Sequence, residues 1–257
     1  MTLREQALPF QTEVDISDAA SESQVEIVVL GERPGTKLTN LHEVLSYFIS
    51  AANVGMLSGD RFPPTQSLMH VLSREELPDG SIRTVCHVEG VDPASLRILL
   101  GMITQSHFGH EPLASLRLRS LARNGEPLDL SAVLARSLPG RTRNVPFDVV
   151  FSKYLDDETE PVIRMMFHRP LEDKEFARLE QWIADWDCLL LLGGYRNTFD
   201  AMHELPMTPG ETYLAAPNTA EHLIYGFGGP VVAFDALVNM GAKLHFNFCP
   251  LVAMEFE

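Results

Sequence analysis

The residues best placed to do chemistry in this sequence are histidines. His107 and His110 stand three apart in SHFGHEP, beside Glu111. Two imidazoles one helical turn apart can grip a metal ion, with a carboxylate as third ligand. No H-E-x-x-H pattern accompanies them, and Gly109 weakens helical order between them. The competing reading is a solvated helix end, where the dipole favours cationic imidazole. His87 and His168 sit near the ends of strand-like runs that precede a helix, where paired imidazoles could share acid–base work. No G-x-S-x-G segment supplies a nucleophile. An enzyme built here would draw on His168, Asp200 and His203. His245 and Cys249 lie four apart, and an extended chain at roughly 3.3 Å per residue holds them too far apart to share one metal.

Anion chemistry has two candidate carriers. Glycine turns lie between a strand and a helix at GERPGTK (Gly31 to Lys37) and at GFGGP, with Gly226, Gly228 and Gly229. Such turns can aim backbone N–H groups at an anion. Neither has the spacing of a P-loop or of a dinucleotide fingerprint, so turn formation alone is the alternative. The arginines Arg117, Arg119, Arg123, Arg136, Arg141 and Arg143 form a locally basic segment. It could hold a carboxylate or phosphate bidentately, or pair with the acidic runs DDETE and EDKE within the molecule or across a homodimer. A third feature is the long polar stretch from Arg196 to Ala220, with Phe199, Met202, His203, Met207 and Tyr213. Long loops rich in aromatic and methionine side chains often cover a cleft or meet a partner. The ligand or partner contacts expected from sequence are therefore Phe199, Met202, His203, Tyr213, Arg117, Arg119, Gly226, Gly228 and Gly229. No catalytic residue, metal ligand or cofactor is assigned.

The elements that must position these residues follow a rhythm. VEIVVL reads as a buried strand, and a helix follows from about Asn40, with Leu41, Val44, Leu45, Phe48, Ile49 and Ala52 on one face. Asn40 and Glu43 resemble a capping box, and Gly55 a stop. SLMHVLSREEL and SIRTVCHVEG predict a hairpin across Pro78-Asp79-Gly80. Asp92 and Pro93 open a second helix, striped by Leu96, Leu99, Leu100 and Ile103, and ASLRLRSL closes the unit as a half-wet strand. After a connector with the helical piece LSAVLARSL comes an extra strand, PFDVVFSKYL. The order then repeats: strand VIRMMFH, a helix faced by Phe176, Leu179, Trp182, Ile183 and Trp186, strand CLLLLGG, strand HLIYGF, helix VVAFDALVNMG and strand FCPLVAMEFE. Trp182 and Trp186 belong to the core. Both units read βαββαβ, which predicts an α+β chain of two tandem ferredoxin-like sandwiches that could share one antiparallel sheet. The boundaries are a polar leader or edge extension at 1–23, units at 24–120 and 146–257, and a connector at 121–145. The units match in element order, not in residue identity, and one larger mixed sheet is the rival.

Composition narrows the function classes. The chain has 257 residues, 45% apolar, and a formal net charge of −15. Such a surface repels phosphate backbones and anionic lipid, and it attracts cations; it also serves solubility alone. Cys86, Cys188 and Cys249 sit in apolar runs without C-x-x-C spacing, which predicts buried reduced thiols in a reducing, cytoplasmic setting. The N-terminal stretch lacks the apolar core of a signal peptide, and no apolar run reaches a bilayer span. The function expected is a non-enzymatic binding protein for a cationic protein partner, in the manner of an immunity or antitoxin-like inhibitor. The alternatives are a sensor of small carboxylate or phosphate metabolites and a His/carboxylate hydrolase.

Overall fold

Strand β1 (Gln11–Ser17) lies inside a sheet, next to strands that close some hundred residues later. The computed structural model describes residues 8–18, 22–33, 38–109, 111–121, 125–153, 155, 160–199, 201 and 207–257. Within them the chain is mixed α+β, with two mixed sheets of six and five strands and five α-helices.

The first sheet adds β2 (Glu22–Gly31), β3 (Leu68–Glu76), β4 (Ile82–Glu89), β5 (Leu113–Ser120) and the two-residue β6 (Pro127–Leu128). Its order is β3-β4-β2-β5-β1-β6. Helix α1 (Thr39–Asn53) connects β2 to β3, α2 (Leu96–Gly109) connects β4 to β5, and α3 (Leu130–Ala135) follows β6. The second sheet holds β7 (Asp148–Phe151), β8 (Val162–Phe167), β9 (Thr208–Ala216), β10 (Thr219–Tyr225) and β11 (Leu251–Phe256), in the order β7-β11-β8-β10-β9. Helices α4 (Asp173–Leu191) and α5 (Ala233–Asn247) make its two crossings.

Alternation decides which face of each sheet is dry. Ile163, Met165 and Phe167 of β8 are buried while Val162, Arg164 and Met166 between them are not, so one face meets helices and the other meets water. The helices of the two halves touch where α1 meets α4, and α4 also packs on α5 within the second half. Helix α2 is buried on every side from Ile98 to Ser106, and α5 is buried nearly all round. A helix apolar all round must be enclosed, and one continuous core runs through both halves.

Four sequence expectations are corrected or refined. CLLLLGG is not a strand: Cys188 to Leu191 form the last turn of α4. A short run of leucines has no readable period, and leucine is a strong helix former without β-branching. The strand assigned to it lies instead in the stretch read as a long loop, where β9 is opened by Pro209 and Gly210. Helix α1 carries no capping box; its N-cap is Leu38, and the buried Glu111 carboxylate accepts from the Asn40 and Leu41 N–H groups at 2.7 and 3.0 Å. Part of the stretch expected as a leader is β1, which buries Val14 and Ile16 and runs parallel to β5.

The two sheets agree in register. β1 pairs parallel with β5 as Gln11↔Ser115, and β7 with β11 as Asp148↔Ala253. The pairing of β2 with β5 skips Ala114, and that of β8 with β11 skips Val252. Glu32 donates to the Pro112 carbonyl and His168 to the Pro250 carbonyl, both at 3.0 Å.

Candidate functional site

Two of the histidines weighed from sequence, His107 and His245, are tied to the backbone. Leu113 N–H donates to His107 Nδ1 at 2.9 Å, and Leu251 N–H donates to His245 Nδ1 at 3.1 Å. Each imidazole thus fastens the end of a helix to the first residue of the next strand. With Glu111 spent on α1, the metal reading at His107 loses its third ligand; His110 lies outside the described residues. Among the described residues no group of three His, Cys, Asp or Glu side chains could hold a metal ion. His87 packs against His70 of the neighbouring strand, with tilted rings and centroids 4.9 Å apart, and His168 is exposed. Asp200, Met202 and His203 lie outside the described residues.

The expected anion carriers are also spoken for. Arg117 donates to Glu13 at 2.8 Å, Arg119 to Glu26 at 2.9 Å, Arg136 to Asp18 at 2.8 Å and Arg143 to Asp60 at 3.2 Å. These partners are scattered acids of the first half; Arg123 and residues 156–159 of DDETE lie outside the described residues. Gly226 takes a left-handed φ of +63°, which lets the GFGGP turn fold back. That turn buries Phe227 against Phe234, with Gly229 under the Phe227 ring and Gly228 exposed. The N–H groups of Ala233, Phe234 and Asp235 already donate to the carbonyls of Pro230, Val231 and Val232. Phe199 is buried beneath the Arg196 guanidinium, 5.8 Å from its ring centre, as a packing residue. The three cysteines are free, and burial raises each thiol, Cys86 to about 11.

Of the expected partner residues, Tyr213 leads to a charged site that sequence reasoning missed. Its hydroxyl donates to Glu221 at 2.6 Å on the open face of the second sheet. Glu221 also accepts from Arg164 at 2.8 Å. The same guanidinium reaches Glu255 at 2.9 Å and Glu257 at 3.5 Å. One cation on β8 is therefore shared by three carboxylates, Glu221 on β10, Glu255 on β11 and Glu257 just past its end. The Tyr213 hydroxyl and then Arg164 hold the Glu221 carboxyl below its ordinary value, so it stays ionised. The face keeps a net negative charge at its centre. On the first sheet the polarity is reversed: Glu26 stands between Arg83, at 2.6 Å, and Arg119. The signal was present in sequence as outward positions of alternating strands, yet nothing in the sequence says which strands are neighbours.

A second group missed from sequence lies in the core. His222 is buried, with Nδ1 3.0 Å from Thr212 Oγ1 and Nε2 3.3 Å from Asp187 Oδ1. The chain of bonds resembles a relay. Its imidazole is 1% exposed and both nitrogens are engaged, so it ties α4, β9 and β10 together rather than meeting a substrate.

No family model and no curated protein matches this sequence. Among solved structures it is similar to the periplasmic protease PqqL from Escherichia coli, at 12% identity and a TM-score of 0.22. That match covers 88% of this chain and 35% of PqqL, so the chain spans about a third of that protein's length. It is also similar to a Cas6 product complex, at 15% identity and a TM-score of 0.26, covering 90% of this chain and 95% of the other. Similarity at this level does not bear on what the chain does. No helix among the described residues is long and apolar enough to cross a membrane.

Proposed function

We propose that this chain is a non-enzymatic binding protein that offers the open face of its second sheet to a cationic protein partner, with inhibition of a basic protein as its concrete form. The reading is carried by Arg164, a single guanidinium set among Glu221, Glu255 and Glu257. Carboxylates in excess on the solvent-facing side of a sheet steer a basic surface toward it and fix its register. The net charge of −15 acts over longer range in the same direction. The small-anion alternative is weakened by arginines already paired with internal acids.

The test is capture of a basic partner from the source cell at low ionic strength. Wild type should retain it, and Glu211→Lys/Glu257→Lys should release it. Glu43→Lys/Glu89→Lys, which moves the net charge equally elsewhere, should keep it. Equal loss in both variants, or no partner at low salt, would sink the reading.

For the architecture we infer two copies of one βαββαβ unit with ferredoxin-like strand order, each extended by a strand parallel to its last. The registers and skipped residues above support this. So do residues the order of elements alone had hidden: Pro9-Phe10 recurs as Pro146-Phe147, and His107-Phe108…Pro112-Leu113 as His245-Phe246…Pro250-Leu251. Phe10 packs on His107 and Phe147 on His245. Contacts between halves are reciprocal as well. Tyr47 interacts with Cys188, and the corresponding residues Asp185 and Ser50 hydrogen-bond each other. Gly55 faces Lys243, and Gly193 faces Gln105. Exchange of this kind is the mark of a two-fold interface.

A further inference from the structure

Two imidazoles face each other on the water side of the first sheet. Val25 and Ile27 of β2 are buried and pair with Cys86 and Thr84 of β4. His87, out of step with both, therefore stands on the opposite side, and so does His70, its direct partner on β3. The ring centroids lie 4.9 Å apart with the planes tilted by 40°. His70 is exposed and His87 half-buried. Other histidines are engaged: His42 with Arg74 at 2.6 Å, His107 and His245 with backbone N–H groups, and His222 with Thr212 and Asp187. Among the described residues neither His70 nor His87 has a hydrogen-bond or ion-pair partner, and what each meets is the other's ring.

Their spacing is that of two ligands on one ion. A metal sits about 2.0–2.1 Å from a ligating imidazole nitrogen, and so about 3.2 Å from the ring centre. Two centres 4.9 Å apart then subtend about 100° at a shared ion, close to the tetrahedral angle. Torsion about the histidine Cβ–Cγ bond is soft, so each ring can turn a nitrogen toward that point while the strands stay fixed. The surroundings are acidic. Glu89 stands two residues beyond His87 on the same side of β4, and Glu22 of β2 pairs with Glu89. We propose that His70 and His87 form a surface site for a divalent first-row transition metal, with one imidazole nitrogen from each strand on a single ion and water in its other positions. Imidazole suits Zn²⁺, Ni²⁺ and Cu²⁺, whereas Mg²⁺ and Ca²⁺ prefer oxygen ligands alone. Among the described residues no third His, Cys, Asp or Glu side chain completes a group with them, so the ion keeps open positions. An ion held there also ties the edge strand β3 to β4. The inference does not depend on the acidic face of the second sheet.

The experiment is calorimetric titration of ZnCl₂ into the whole chain, prepared without an oligohistidine tag. The expected result is saturable binding of one ion per chain, with MgCl₂ and CaCl₂ far weaker. His70→Ala and His87→Ala, checked for an unchanged melt, should each weaken Zn²⁺ binding about tenfold or more, the scale that even outer-shell partners of a metal command. His168→Ala should leave it unchanged. Cu²⁺ should bind more tightly than Zn²⁺. Its electron paramagnetic resonance spectrum in the wild type should show coupling to two imidazole nitrogens, a readout that needs no variant to fold. No saturation by about 1 mM Zn²⁺, equal affinity in all three variants, or a Cu²⁺ spectrum with fewer than two imidazole nitrogens would overturn the proposal. Equal binding of Mg²⁺ and Ca²⁺ would also overturn it, because the acidic surface alone would then be the attractor. So would one ion per two chains, which would place the site between copies.

Discussion

Glu175 shows how much one carboxylate can hold. It accepts two bonds from Arg169, at 2.7 and 2.8 Å, and one from the Glu172 N–H at 2.9 Å. Glu172 receives the reciprocal bond, which closes a capping box at the start of α4. Arg169, first among these partners, lowers the Glu175 carboxyl from 4.5 to about 2. A depressed folded pKa means stability that is present above the ordinary value and is lost as pH falls toward the folded one. Urea midpoints of the wild type should therefore drop between pH 4.5 and about 2 through this group. Glu175→Gln should cost about 1 kcal/mol at pH 7 and flatten that part of the profile. Parallel profiles for the two proteins would remove Glu175 as the cause. In sequence Glu175 stood only within the acidic run EDKE, and Arg169 was not marked as its partner.

At the scale of elements, the histidine clamps explain why two strands start where they do. His107 and His245 each accept the N–H of the first residue of β5 or β11. Removing the ring leaves a buried donor unmet, which costs about 1–3 kcal/mol. His107→Ala and His245→Ala should each lower stability by that amount in urea unfolding. An effect in one half alone would show that the two clamps are not equivalent. Helix faces were read well from spacing, since Leu41, Val44, Leu45 and Phe48 are all buried as their period requires. Strand β9 was not, because Pro209 and Gly210 read as loop residues. Gly210 is there for a tertiary reason: a Cβ at that position would collide with the His222 ring and the Leu223 carbonyl.

At the scale of the molecule, the halves meet through α1 and α4 in a reciprocal pattern. Double-mutant cycles on Tyr47→Phe with Cys188→Ala, and on Ser50→Ala with Asp185→Asn, should each give a coupling of about 0.5–3 kcal/mol. Zero coupling in both would mean that these bonds do not join the halves. The outer faces then carry opposite charge centres, Glu26 between arginines on one and Arg164 among glutamates on the other.

The amino-acid sequence by itself determined the α+β class, the buried helix faces and the acidic surface, because period and composition act locally along the chain. Phe48, Leu99 and Ile163 had to turn inward whatever the topology. Only the tertiary structure decided that Arg164 would lie among three carboxylates and that His107 would fasten a strand. Those outcomes depend on which strands become neighbours, and that is set by chain crossings between residues far apart in sequence.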